Sequence, residues 1–111
     1  MFPEHIPGIT PDQVPQGAYL LDVRENDEWA AGHAPDAHHL PMSDIPARMG
    51  EIPMDDQVVV VCRSGGRSAQ VVAYLRANGW DNVVNLEGGM RAWAAAGRPV
   101  VNESETPAQI I

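Results

Sequence analysis

One cysteine stands in this chain of 111 residues, and the six residues after it, Arg63-Ser64-Gly65-Gly66-Arg67-Ser68, are of types that activate a thiol. A free cysteine with a pKa of about 8.5 is only about 7% thiolate near pH 7.4, and helix N-termini or cationic neighbours lower that value to roughly 3.5–7.5. Arg63 and Arg67 bring two formal positive charges, while Gly65 and Gly66 permit the positive φ values that turn successive N–H groups into one concavity. A fall of about two units corresponds to about 2.7 kcal/mol and makes the thiolate the majority form. These types point to a sulfur nucleophile meeting an anionic substrate. The competing reading, a small buried hydrophobe after a valine run, accounts for Cys62 but not for the arginines and glycines beside it.

For that chemistry Cys62 must lie where a strand ends and a helix begins. Val58, Val59, Val60 and Val61 form an unbroken β-branched run, which predicts a strand in the middle of a parallel sheet. After Ser68, the apolar positions Val71, Val72 and Leu75 mark one face of a helix, and Gly79 with Trp80 predicts a Schellman-type ending packed back on Leu75. The first amides of such a helix lack intrahelical partners, and the macrodipole adds partial positive charge there.

The rest of the chain supplies the frame. Strands are expected at residues 8–10, 18–23, 38–41 and 82–86, with a helical turn opened by Thr10-Pro11-Asp12. A helix N-capped by Asn26 runs to Ala31 before Gly32, another N-capped by Ser43 runs to Met49, and a last one covers residues 90–96. Pro3, Pro7, Pro11 and Pro15 forbid a long N-terminal helix. This alternation predicts an α/β domain with a mostly parallel sheet, helices on both faces, and ligands at the carboxyl ends of the strands. Asp22 with Arg24, Cys62 with its loop, and Glu87-Gly88-Gly89 then share one rim. The tail from Val100 is polar and expected to fray, with docking of Ile110-Ile111 left open.

Composition narrows the classes. The length suits one domain, and a hydrophobic fraction of 44% is ordinary for a globular chain. A net charge of −8 argues against nucleic acid or an anionic membrane surface as partner. One cysteine forms no intrachain disulfide, and no apolar run reaches the roughly 18 residues of a membrane span. Met1-Phe2-Pro3-Glu4-His5 lacks a basic segment followed by an apolar one, so a reducing cytoplasm is the default expectation.

Three motifs in order give a resemblance. Leu20-Leu21-Asp22-Val23-Arg24 followed by Glu28-Trp29 and Gly32-His33, the loop of residues 62–68, and Asn85-Leu86-Glu87-Gly88-Gly89 with Trp93 resemble the signatures of the single-domain rhodaneses, the thiosulfate sulfurtransferase-like family. The similarity covers roughly residues 9–97. It implies a three-layer α/β/α sandwich with a five-stranded, mostly parallel sheet, a domain over residues 1–99 and a tail over 100–111. It also implies Cys62 as the nucleophile that carries sulfane sulfur as a persulfide, held by main-chain amides of residues 63–68. Arg63 is the candidate for the donor's sulfonate; Arg67 braces the loop from the first helical turn or faces the anion; and Asp22 and Arg24 are a supporting rim, shaping it electrostatically or, as scaffold, pairing with each other or with Glu28. Thiosulfate is the implied donor, cyanide or a thiol the acceptor, with no cofactor and no metal; the expected state is a monomer or weak homodimer.

Rival readings rest on particular residues. Phosphatases and arsenate reductases of the related fold place five residues between cysteine and arginine, whereas four separate Cys62 from Arg67, a tighter loop suited to one sulfur atom. Gly65-Gly66-Arg67-Ser68 lacks the lysine of a nucleotide P-loop, and a thioredoxin-like role lacks its second thiol. A non-catalytic interaction module and a sulfur relay to a protein partner are the remaining alternatives. His33, Asp36, His38 and His39 tempt a zinc reading, yet adjacent strand histidines point to opposite faces. Trp29, Trp80 and Trp93 fit core or lid positions, and Glu87 is expected to turn into backbone hydrogen bonds, because an acid facing Cys62 would raise its pKa.

Overall fold

The structure, a computed structural model, describes residues 6–111. The expectations resting on Met1 to His5, Pro3 among them, lie outside those residues. Five strands form one parallel sheet: β1 (Gly8–Ile9), β2 (Tyr19–Asp22), β3 (His38–His39), β4 (Val58–Val61) and β5 (Val83–Leu86), in the order β1-β5-β4-β2-β3. The valine run takes the centre because both of its faces must be covered. Val58, Val59, Val60 and Val61 are all fully buried, each stabilising the fold by about 2 kcal/mol on transfer bookkeeping. Tyr19 pairs with Val58 and Asp22 with Val61 on one side, and Val58 pairs with Val83 on the other. Successive valines alternate between two cores. Val58, Val60 and Cys62 pack with Val71, Val72 and Leu75, while Val59 and Val61 pack with Leu20, Leu86, Met90 and Trp93.

Four α-helices cover the sheet: α1 (Asn26–Ala31), α2 (Ile45–Arg48), α3 (Gly66–Ala77) and α4 (Gly89–Ala95). The end of α3 follows its sequence signal. Gly79 takes φ +104°, and Trp80 N–H donates to the Leu75 carbonyl at 3.0 Å. Other boundaries differ from expectation. The N-cap of α1 is Glu25 rather than Asn26, its N–H donating to the Glu28 carboxylate at 3.0 Å. β3 stops at His39, because the chain turns into a 3₁₀ segment at Met42–Asp44. The helix after it shrinks to α2, capped by Asp44 instead of Ser43, and Pro46 occupies its first turn.

The tail does not fray. Val101 forms an isolated antiparallel bridge with His33, and Gln109 N–H donates to the Ala31 carbonyl at 3.0 Å. Ile110 packs against the core beside α4. Residues 100–111 thus run as a strap past the C-terminal end of α1, where the bare α-carbon of Gly32 leaves room for Gln109. A Cβ there would fall 2.5 Å from the Gln109 carbonyl oxygen. Among the described residues no helix is long and apolar enough to cross a membrane.

Candidate active site

Cys62 follows β4 directly and has no solvent exposure. Its Sγ accepts the Gly65 N–H at 3.1 Å and faces the Ser68 hydroxyl at 3.3 Å. Burial pushes the thiol up. The Ser68 hydroxyl, followed by the main-chain N–H groups of Ser68, Gly65 and Ser64, outweighs that cost and leaves the thiol below its ordinary value. The stabilising groups are dipoles of the loop itself, so the two arginines are not the principal cause that their charge suggests in sequence.

A concavity of N–H groups requires the carbonyls of the same loop to be held elsewhere. The β5–α4 junction does this. Met90 N–H donates to the Cys62 carbonyl at 2.8 Å and Arg91 N–H to the Arg63 carbonyl at 3.0 Å, so the free amides of the α4 N-terminus anchor the loop's backbone. Gly89 permits the approach: it takes φ +59°, and a Cβ would lie 2.5 Å from the Cys62 oxygen. Gly65, the residue before α3, takes φ +105°. Gly66 is simply the first residue of α3 and makes no positive-φ turn, contrary to the expectation for both glycines.

The predicted charged residues separate into different tasks. Arg67 reaches α1, where its two terminal nitrogens meet the Glu28 carboxylate at 2.7 and 2.8 Å. This pair lowers Glu28 to about 2 and raises Arg67, whose coupling to Cys62 is a lesser contribution. Arg63 is exposed, and its Nε donates to the main-chain oxygen of Ile111 at 3.0 Å. Asp22 and Arg24 are wholly buried and paired at 2.7 Å. Arg24 also donates to the Gly32 carbonyl at 2.7 Å, tying the end of β2 to the end of α1 rather than presenting charge on the rim. Among the described residues the Glu87 side chain makes no hydrogen bond to the backbone; it lies over Gly8 on β1.

Two residues quoted in sequence only as parts of motifs take roles at the site that the sequence reading did not give them. Asn85, buried on β5, donates from Nδ2 to the Gly65 carbonyl at 3.2 Å and accepts from the Ser68 hydroxyl through Oδ1. Its signal was available, since it is the one polar residue in the strand Val83–Leu86. Glu28 had no such signal, because 39 residues separate it from Arg67. The three described histidines take part in aromatic stacking: His38 lies on Tyr19, and Trp29 is flanked by His33 and His39. A concavity of about 1080 Å³ opens among Tyr19, His38, Trp93 and Arg98, with none of residues 62–68 in its lining.

Comparison with known proteins bears on the family and the fold. The family model described as rhodanese-like domain matches residues 10–96. A protein of Allochromatium vinosum named sulfurtransferase is 54% identical over 82 residues, covering 74% of this chain and 77% of that protein. The crystal structure of a rhodanese-related protein from Thermoplasma volcanium superposes with a TM-score of 0.82 at 31% identity, covering 87% of this chain and 99% of that one. A thiosulfate sulfurtransferase from Pseudomonas aeruginosa superposes with a TM-score of 0.78 at 26% identity, covering 96% of this chain and 22% of that one.

Proposed function

The chain belongs to the rhodanese-like domain family, and from that premise we propose that it is a sulfurtransferase that moves sulfane sulfur through a Cys62 persulfide. The observation that carries the reading is the Cys62 sulfur, buried yet ringed by the Gly65 amide and the Ser68 hydroxyl, so that negative charge on sulfur is favoured inside the fold. A thiolate of this kind needs no general base. It attacks the outer sulfur of thiosulfate, a new S–S bond forms, and the old one breaks with its electron pair leaving on sulfite. Negative charge then rests on the outer sulfur of the persulfide. Cyanide or an acceptor thiolate attacks that sulfur, and the pair returns to Cys62. One transfer is thereby divided into two displacements.

Arg63 is the cation assigned to the donor's sulfonate. Its terminal nitrogens carry no hydrogen bond among the described residues, only Nε being engaged by Ile111. Arg67 is a brace, since Glu28 occupies its fork. That occupation also weighs against a phosphatase, which needs a planar fork free for a tetrahedral anion. The thiosulfate sulfurtransferase of Pseudomonas aeruginosa supports thiosulfate as donor.

Intact-mass measurement after incubation with thiosulfate tests the reading. One added sulfur atom is expected on the wild type and none on Cys62→Ala; no addition to the wild type, or equal addition to both, overturns it. Turnover with cyanide compared with turnover to thiols and carrier proteins then distinguishes an enzyme acting on small molecules from a relay.

A further inference from the structure

Beneath the nucleophile lies a hydrogen-bond arrangement with one proton too few. Ser68 Oγ is within reach of two acceptors, Cys62 Sγ at 3.3 Å and Asn85 Oδ1 at 2.5 Å. A serine hydroxyl has a single proton to give. The Asn85 amide cannot turn over to relieve the competition, because its Nδ2 is committed to the Gly65 carbonyl, which can only accept. Ser68 and Cys62 are fully buried and Asn85 nearly so, which makes an unmet acceptor here costly. When Cys62 is a thiol, its own S–H can point at Ser68 Oγ and the hydroxyl can point at Asn85. When Cys62 is a thiolate, sulfur becomes the stronger acceptor.

We propose that Ser68 is a hydroxyl switch that follows the charge on Cys62 Sγ, and that Asn85 is the positioning residue that holds it and offers its alternative acceptor. The hydroxyl turns to Asn85 Oδ1 when Sγ is neutral and to Sγ when Sγ is an anion. Carried into sulfur transfer, and there resting on the persulfide reading, the switch serves the second displacement most. As the persulfide forms, negative charge leaves Sγ for the outer sulfur, and the hydroxyl returns to Asn85. As the acceptor takes that outer sulfur, the S–S electron pair comes back to Sγ and the hydroxyl swings to meet it. Asn85 thus opposes the free thiolate and favours the neutral inner sulfur, limiting how far Ser68 can stabilise the resting nucleophile.

The charged and titratable groups at this end of the sheet include Arg63, Arg67 with Glu28, Glu25, the Asp22–Arg24 pair, His39, Glu87 and Arg91. None of them hydrogen-bonds the side chains of Cys62, Ser68 or Asn85. Charge on these groups is common to all the variants below except where stated.

The experiment is the pH profile of Cys62 alkylation by iodoacetamide in the full chain, which requires no sulfur transfer and stands whether or not a persulfide forms. Ser68→Ala is expected to raise the apparent pKa by about one unit, a tenfold loss of labelling rate on the acid side, and Ser68→Thr to restore it. The same Ser68→Ala change is then made in Asn85→Leu and Asn85→Asp backgrounds. Its effect should be largest with Asn85→Leu, where no acceptor competes, and smallest with Asn85→Asp, where a carboxylate holds the hydroxyl more tightly. Loss of the Gly65 brace, and the new charge in Asn85→Asp, are common to both members of each comparison and cancel. An equal Ser68→Ala effect in all three backgrounds overturns the switch. If Asn85→Leu fails to fold, the wild-type and Asn85→Asp pair decides between the two outcomes.

Discussion

Arg67 at the start of α3 and Glu28 on α1 meet in a two-pronged ion pair, with both N–O distances under 3 Å, 2.7 and 2.8 Å. The pair ties the active-site loop to the helix that follows β2. It holds the Glu28 carboxyl at about 2, against about 4.3 for an unperturbed glutamate. A carboxylate with a depressed folded value contributes stability that is complete above the unfolded value and is lost as pH falls through the folded one. Urea unfolding of the wild type should therefore weaken between about pH 4.5 and pH 2. Glu28→Gln should remove about 1–2 kcal/mol of neutral-pH stability, discounted for the partial exposure of the pair, and flatten that acid limb. An unchanged limb in the variant would show that the pair contributes nothing.

Arg63 donates through Nε to Ile111 and leaves its terminal nitrogens without protein partners among the described residues. Arg63→Ala should raise KM for thiosulfate about tenfold, corresponding to the loss of one charge-assisted contact, while leaving the pH profile of Cys62 alkylation nearly unmoved. A shifted profile with an unchanged KM would reverse the assignment and make Arg63 an activator of the thiol.

The two glycines flanking the cradle's anchors should behave oppositely. Gly89→Ala places a Cβ 2.5 Å from the Cys62 oxygen and 2.7 Å from that of Arg63, at φ +59°. A cost of at least about 2 kcal/mol is expected, together with slower alkylation as the loop carbonyls are pushed off α4. Gly66→Ala has open space around it and an ordinary helical position. It should be neutral or stabilising by up to about 0.5–1 kcal/mol. Urea titration of both variants decides the matter, and a Gly66→Ala change as harmful as Gly89→Ala would contradict the geometry.

Gly32→Ala tests the strap. The added Cβ meets Gln109 backbone atoms at 2.5 and 2.9 Å, so residues 100–111 must shift. Amide exchange at Gln109, whose N–H donates to Ala31, should quicken about tenfold, as loss of one hydrogen bond predicts. Unaltered protection at Gln109 would mean that α1 yields and the strap stays.

Much of this protein was legible in its residue types. A valine run with no polar interruption can be stabilised only where both faces are covered, which placed β4 in the centre and Cys62 at its end. The period of Val71, Val72 and Leu75, and the Gly79-Trp80 stop, fixed α3 through contacts a few residues apart. The short elements were less legible. β3 and α2 are too brief for periodicity to show, and their limits follow from how the chain after His39 must turn.

What sequence alone determined was the alternation of strands and helices and the place of Cys62 at the end of the central strand, because each follows from local spacing and from burial of apolar runs. What only the tertiary structure decided was how that sulfur is held. Arg67 found Glu28 as the partner it braces against, the Asp22–Arg24 pairing was chosen among its alternatives and wholly buried, and Asn85 came up beneath Ser68. The first and last of these join polar groups 39 and 17 residues apart in the chain, which meet only once the strands are in register. Hydrogen bonds are directional and short, so their partners are set by the packed geometry and leave no period in the sequence.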